Sequence, residues 1–391
     1  MECAEQTTFT TARSKAILES AKTIVLKIGS ALLVDDQTGT IKTAWLDALA
    51  EDVADMKRAG KQVVLVSSGA VGVGRTHLGL PAGPLKLEIK QAAAATGQGR
   101  LAHAYQEALA PHGLTAAQVL ITPTDTEDRR RYLNARTTLS TLLKLGAVPI
   151  INENDTVATQ ELRFGDNDRL AARIAQMMAA DALLLFSDID GLYTADPRTT
   201  ANACHIPVVQ NLTPDIMAMG GDAGSSLGTG GMYTKLQAAK ICMFAGCQMV
   251  IAPGAPLYPV RALAAGGRCT WFIPQDTPGK ARKHWIGGSL QAKGCVHIDA
   301  GALTALQTGK SLLPVGVTHI TGQFDRGDAV DIIAPDGHSL GKGLIAHRSD
   351  IAIQLIGLQS DAVHTLLGYQ GRDELIHRDN MALDDPIRIP S

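Results

Sequence analysis

The stretch Gly228-Thr-Gly-Gly-Met-Tyr-Thr-Lys235 sets a glycine-rich turn directly before a helical run and ends it on a lysine. Such a turn can aim backbone N–H groups at an anion. The helix start adds a favourable dipole and the lysine a full charge, so polyphosphate is the ligand this chemistry suits. The Walker A order Gly-x4-Gly-Lys-Ser/Thr is absent, as is the signature set of protein kinases. The plain alternative is a surface lysine. In a first helical turn, however, the dipole disfavours a cation, and a local misfit of that kind points to function.

Lys27 closes the apolar run Thr23-Ile-Val-Leu-Lys-Ile28 and is followed by Gly29 and Ser30. A lysine in an apolar strand is costly to bury without a partner. It either reaches into a ligand pocket or snorkels from the strand end, and the residue alone does not decide. Ser67-Ser68-Gly69-Ala70, with Gly72 and Gly74 after it, forms a second small-residue turn suited to a phosphate or carboxylate. By itself such a turn is more often structural. Asn152-Glu-Asn-Asp155 and Asp166-Asn167-Asp168 are denser polar signals. Read singly, the first is a solvated turn and the second an N-cap with carboxylates at a helix start. Together, opposite two lysines, they read as a pocket.

These residues need a frame. Further strand-like runs are Gln62–Val66, Ala147–Ile151, Ala182–Phe186 and Gln248–Ala252, separated by helical runs such as Leu170–Ala180 and Tyr233–Ala245. Nearly continuous apolar strands between helices predict an α/β fold, a doubly wound and mostly parallel sheet covered on both faces. Ligands then sit beyond the carboxyl ends of the strands, where Gly29-Ser30, Ser68-Gly69, Asn152–Asp155 and Ser187-Asp188 fall. Pro274, Pro278 and Gly279 interrupt the pattern. Short strands at Cys295–Ile298, Val315–Ile320 and Ala329–Ile333 then predict a small β-rich second domain.

At 391 residues the chain is long enough for two cores. A formal charge of −2 and an aromatic content of 4% argue against a nucleic-acid platform. The six cysteines include no Cys-x-x-Cys pair, so buried thiols in a reducing compartment are expected, with no metal site. No run is apolar enough to span a membrane, and the polar, threonine-rich first twenty residues read as a loose extension without a secretory signal. A cytoplasmic location is expected.

The assembled motifs resemble the bacterial glutamate 5-kinase family of the amino-acid kinase superfamily. The supporting segments are Val25–Ser30, Val66–Ala70, Glu127–Ala135, Pro149–Asp155, Phe164–Asp168, Gly191–Arg198, Gly228–Lys235, Ser311–Gly316 and His377–Asn380. The resemblance begins near Lys22 and runs onward in family order; Ser30 stands where a threonine is frequent, which keeps the hydroxyl. It implies an extension over 1–20, an amino-acid kinase domain over 21–273, a linker over 274–291, a barrel-like PUA domain over 292–378 and a tail over 379–391. The implied activity is ATP-dependent phosphorylation of the γ-carboxylate of L-glutamate, the entry to proline synthesis, with feedback inhibition by L-proline.

Residue by residue, the resemblance gives Lys27, Lys235 and Asp168 catalytic roles. ATP is assigned to Lys27, Gly29, Ser187, Asp188, Thr229, Gly230, Gly231, Met232 and Lys235. Glutamate is assigned to Ser68, Gly69, Asn152, Asp155, Asp166 and Asn167, with Asp155 on the ammonium. Mg2+ is expected on the ATP phosphates with few direct protein ligands, and a homo-oligomer (dimer or tetramer) is implied. Arg129-Arg-Arg131 matches a segment near the substrate site and subunit contacts. Two rivals stay open. One is another amino-acid kinase, acting on aspartate, N-acetylglutamate, carbamate or a nucleotide. The other is RNA binding through the C-terminal domain, although acids are mixed among its bases and RNA is not expected as a principal partner.

Overall fold

The computed structural model describes residues 2–35, 38–157, 167–221, 231–367 and 373–384, with only the backbone described for 2–10, 284, 285, 288 and 289. The chain divides into two compact units, Met1–Pro278 and Gly279–Ser391.

The first unit is built on strands β1 (Thr23–Ile28), β2 (Gln62–Ser67), β3 (Ala116–Ile121), β4 (Val148–Glu153) and β5 (Ala182–Ser187). It continues with β6 (Leu192–Tyr193), β7 (His205–Ile206), β8 (Val208–Val209), β9 (Gln248–Pro253) and β10 (Thr270–Phe272). Eight of these form one sheet in the order β3-β4-β2-β1-β5-β9-β10-β8, while β6 and β7 pair separately. All pairings in the large sheet are parallel except β10 with β9. The mostly parallel doubly wound sheet is thus present. β1, β2 and β5 end level, with Ile28 opposite Ser67 on one side and Phe186 on the other.

Each face of the sheet carries its own core. Ile24, Leu26 and Ile28 join a cluster with Leu49, Leu101 and Tyr105. Val25 joins the opposite cluster with Leu170, Ile174 and Leu236. The period of two along a strand therefore puts Lys27 on the same face as Val25. That face is covered by helices Asn167–Met178 and Met232–Phe244.

The second unit holds the sheet β12-β11-β13-β14-β15, comprising β11 (Gly294–Ile298), β12 (Val317–Gly322), β13 (Ala329–Ile333), β14 (Ser339–Leu344) and β15 (Met381–Leu383). Two sequence expectations change here. The stretch read as a linker contains helix Pro278–Ser289, whose Ile286 packs on Ala329, Leu344 and Ala382. The stretch read as a tail supplies β15, paired antiparallel to β14. Three residues are too few to announce a strand by alternation.

The N-terminal segment is also different from the loose extension expected. Glu2–Ser20 is a helix. Ser14, Ile17, Leu18 and Ala21 are buried at helical spacing. Trp271 Nε1 donates to Ser14 Oγ at 2.9 Å, and Lys61 Nζ donates to the carbonyls of Glu19 and Ala21, 2.8 Å each, closing the helix end. Among the described residues, no helix is long and apolar enough to cross a membrane.

One close contact fixes the site side of the first unit. A Cβ built on Gly97 would lie 1.8 Å from the Ala70 carbonyl oxygen, and one on Gly74 would lie 1.8 Å from the Ala93 carbonyl oxygen. Helices Ala70–His77 and Leu87–Leu109 therefore touch backbone to backbone. Gly97→Ala should cost about 1–3 kcal/mol or more, the range for overpacking a closed contact. Gly99 on the same helix meets nothing within 4 Å, so Gly99→Ala should be neutral or stabilising by up to ~1 kcal/mol. Urea unfolding of both variants tests the contrast, and equal midpoints would contradict the close crossing.

Candidate active site

Lys27 comes from the carboxyl end of β1, Asp168 from the first turn of helix Asn167–Met178 and Lys235 from the first turn of helix Met232–Phe244. The three converge. Lys27 Nζ lies 2.6 Å from Asp168 Oδ1, and Lys235 Nζ lies 3.1 Å from Asp168 Oδ2. All are buried, at 8%, 0% and 4% exposure for Lys27, Asp168 and Lys235. The single proton of Thr234 Oγ1 has two acceptors in reach, the Gly231 carbonyl at 2.7 Å and Asp168 Oδ2 at 3.2 Å. One carboxylate thus spreads its two oxygens over two ammonium groups from different elements.

Burial alone would raise the Asp168 carboxyl, but the adjacent charges of Lys27 and Lys235 outweigh it and hold the group below the ordinary carboxylate range. The trio carries two positive charges against one negative. In a dry setting that surplus favours an incoming anion.

Gly29 follows β1 with extended dihedrals and caps the short helix Ser30–Leu33; a Cβ there would come within 3.9 Å of Lys27 Nζ. Gly231 caps helix Met232–Phe244, and Met232 is its first residue. Ser187 ends β5, and its hydroxyl donates to Asp188 Oδ1 at 2.9 Å. Ser187 is buried and Asp188 exposed. Thr229, Gly230 and Asp166 lie outside the described residues.

The residues assigned to glutamate form a second group. Asn167 Nδ2, with two protons to give, has three acceptors in reach: the Ser67 carbonyl at 2.6 Å, Ser68 Oγ at 2.9 Å and Asn152 Oδ1 at 3.1 Å. Asn152 Nδ2 in turn donates to Gln98 Oε1 at 2.7 Å. Gly69 is left-handed, with φ 101°, and starts helix Ala70–His77. Its glycine identity has a reason, since a Cβ there would also fall 2.9 Å from Val34 Cγ2. Asp155 is half-buried just past β4. Asn167 and Asp168 are consecutive, so one helix start serves both groups.

Sequence reasoning passed over Gln98 and Tyr105, and it included Thr234 only within the Thr229–Lys235 run, without its contact to Asp168. Gln98 lies mid-helix and reads as an ordinary polar position, and Tyr105 reads as core. The Arg129-Arg-Arg131 segment starts helix Arg129–Lys144; Asp128 caps it by accepting from the Arg131 N–H at 2.9 Å, and Arg131 Nη1 pairs with Asp125 Oδ1 at 3.3 Å.

Residues 22–253 match the amino acid kinase family, and residues 294–367 match the PUA domain. The chain belongs to the amino acid kinase family. A curated relative from Paramagnetospirillum magneticum, described as glutamate 5-kinase, is 59% identical over 367 residues, 94% of this chain and 99% of the relative. Another from Rhodospirillum rubrum, with the same description, is 57% identical over 93% of this chain and 97% of the relative.

Because Asp168 holds a depressed pKa when folded, its stabilising effect is fully present above the ordinary carboxylate range, near ~3.9, and is lost as pH falls through the folded value. Asp168→Asn should destabilise the protein by about 3–5 kcal/mol at neutral pH, since two buried ammonium groups lose their counter-charge. The gap to the wild type should narrow only as pH falls below the ordinary carboxylate range, through the lowered folded value at which the wild-type carboxyl protonates. Denaturant titrations from neutral to acid pH check this. A gap already closing near neutrality would exclude Asp168 as the ionised counter-charge.

Proposed function

We propose that the protein transfers the γ-phosphoryl group of ATP to the γ-carboxylate of L-glutamate, giving L-glutamyl 5-phosphate and ADP for proline synthesis. The observation that carries this reading is the pairing of Lys27 and Lys235 on one buried carboxylate, beside the Asn152–Asn167–Ser68 group. The full-length likeness to proteins described as glutamate 5-kinase supports the choice of acceptor.

The chemistry suits these side chains. A carboxylate is ionised at neutral pH, so the acceptor needs no strong general base. A carboxylate oxygen attacks the γ-phosphorus as the bond to the ADP oxygen breaks. The difficulty is bringing two anions together, and positioning plus positive charge solves it. Lys27 and Lys235 neutralise the moving phosphoryl group, Gly29 and Gly231 offer backbone donors, and Asp168 keeps the ammonium groups in register. Ser187, Asp188, Met232, Thr229 and Gly230 lie along the nucleotide. Asp155 takes the substrate ammonium, Asn167 and the Ser68-Gly69 turn hold its carboxylates, and Asn152 and Asp166 complete the set assigned to glutamate.

Asp168 is committed to the lysines, and no group of three or more metal-ligating side chains occurs among the described residues. Mg2+ accompanying ATP would offset phosphate charge. Inhibition by L-proline, with Arg129–Arg131 contributing, a homo-oligomeric assembly and a cytoplasmic location belong to the same proposal. RNA is not included as a principal partner.

ADP release from purified protein with ATP, Mg2+ and a panel of L-glutamate, aspartate, N-acetylglutamate and carbamate tests the acceptor; preference for another acceptor would overturn it. Lys27→Ala and Lys235→Ala should each lower kcat by at least ~10²-fold, typical of losing a transition-state charge contact. Wild-type turnover in either would remove that lysine from the mechanism. Asp155→Ala should mainly raise KM for glutamate, and an unchanged KM would reject its ammonium role.

A further inference from the structure

The side of the substrate turn that faces the core is held by a chain of hydrogen bonds starting at a buried phenol. Tyr105 lies on helix Leu87–Leu109 at 1% exposure. Its hydroxyl donates to Ser67 Oγ at 3.0 Å. Ser67, itself fully buried, donates onward to the Ser68 carbonyl at 3.2 Å. Burial pushes the phenol pKa up, so Tyr105 remains a donor across the working pH range. With that donor fixed, the Ser67 proton is left for the Ser68 oxygen.

The Ser68 carbonyl is one end of a rigid unit whose other end is the Gly69 N–H. In a planar trans peptide the two point in opposite directions. Drawing the carbonyl toward the Ser67 hydroxyl therefore aims the Gly69 N–H away from it. Left-handed Gly69 carries little rotational resistance of its own, so an outside restraint has something to do. Asn167 Nδ2 fixes the preceding carbonyl, that of Ser67, from the other side. The same helix supplies Gln98, seven residues before Tyr105 and so on the same face, as the acceptor for Asn152. The backbone contact at Gly74 and Gly97 locks this helix to the one that begins at Gly69.

We infer that Tyr105 is a positioning residue for the acceptor substrate, acting through Ser67 to fix the peptide plane that presents the Gly69 N–H to a substrate carboxylate. The substrate part of this inference rests on the reading of the site given above. Tyr105→Phe removes one oxygen and leaves the ring packing intact. It should raise KM for glutamate about fivefold, the worth of one net hydrogen bond, with kcat within about twofold and KM for ATP unchanged. Ser67→Ala should do the same, and the double variant should be no worse than either single variant, because both cut one chain. Without substrate, amide exchange at Gly69 should be faster in Tyr105→Phe than in the wild type.

A merely structural tyrosine would lower the melting temperature and leave the ratio of the two KM values alone. That result, additive losses in the double variant, or unchanged exchange at Gly69 would each overturn the inference. A wild-type protein without glutamate-dependent ADP release sinks the functional reading instead. The Gly69 exchange measurement then still judges the relay on its own.

Discussion

One carboxylate holding two ammonium groups is the constraint on which the first unit depends. Asp168 is fully buried and Lys27 and Lys235 nearly so. None of the three would be tolerable there alone, since an unpaired buried charge costs several kcal/mol. Each makes the others possible, and each enters from a different element. The parallel sheet is the device that brings them together. With β1, β2 and β5 ending level, every loop beyond those ends opens on the same side. The period of two along β1 then decides that Lys27 faces the two helices carrying its partners.

The neighbouring polar group depends on a different kind of contact. Asn167, Asn152 and Ser68 are close because helix Ala70–His77 begins at Gly69 and cannot slide along helix Leu87–Leu109. Glycines 74 and 97 allow backbone to meet backbone at that crossing, and this leaves little freedom in the register. A packing contact with no chemistry of its own thereby fixes where these polar groups lie.

Much of this was legible in the residues. The strand Thr23–Ile28 was readable to the residue because its apolar run is continuous and its ends are polar. Lys27 and Lys235 stood out as charges in apolar or dipole-disfavoured settings, and Asp168 as part of a dense polar cluster before a helix. β3 was missed: it lies at the sheet edge, where only Ile121 is buried and the hydrophobic pattern weakens. The N-terminal helix was missed because it contains a threonine-rich stretch of low helix propensity. Tyr105 and Gln98 were invisible for a deeper reason. Their role depends on which residues of β2 and β4 lie across from them, and no local pattern encodes that.

The electrostatic misfits at the site share one logic. Asp168 is favoured by the dipole at its helix start, whereas Lys235, in the corresponding turn of its own helix, is disfavoured. The trio also keeps a surplus positive charge away from water. Both features are unfavourable only while no anion is near. An anion at the Gly231 end would meet the positive pole of helix Met232–Phe244 and the surplus ammonium charge together, so each cost becomes a gain at the same point in space. Charges already held together in this way need not be assembled when an anion arrives, which is the condition under which fixed charges stabilise it best.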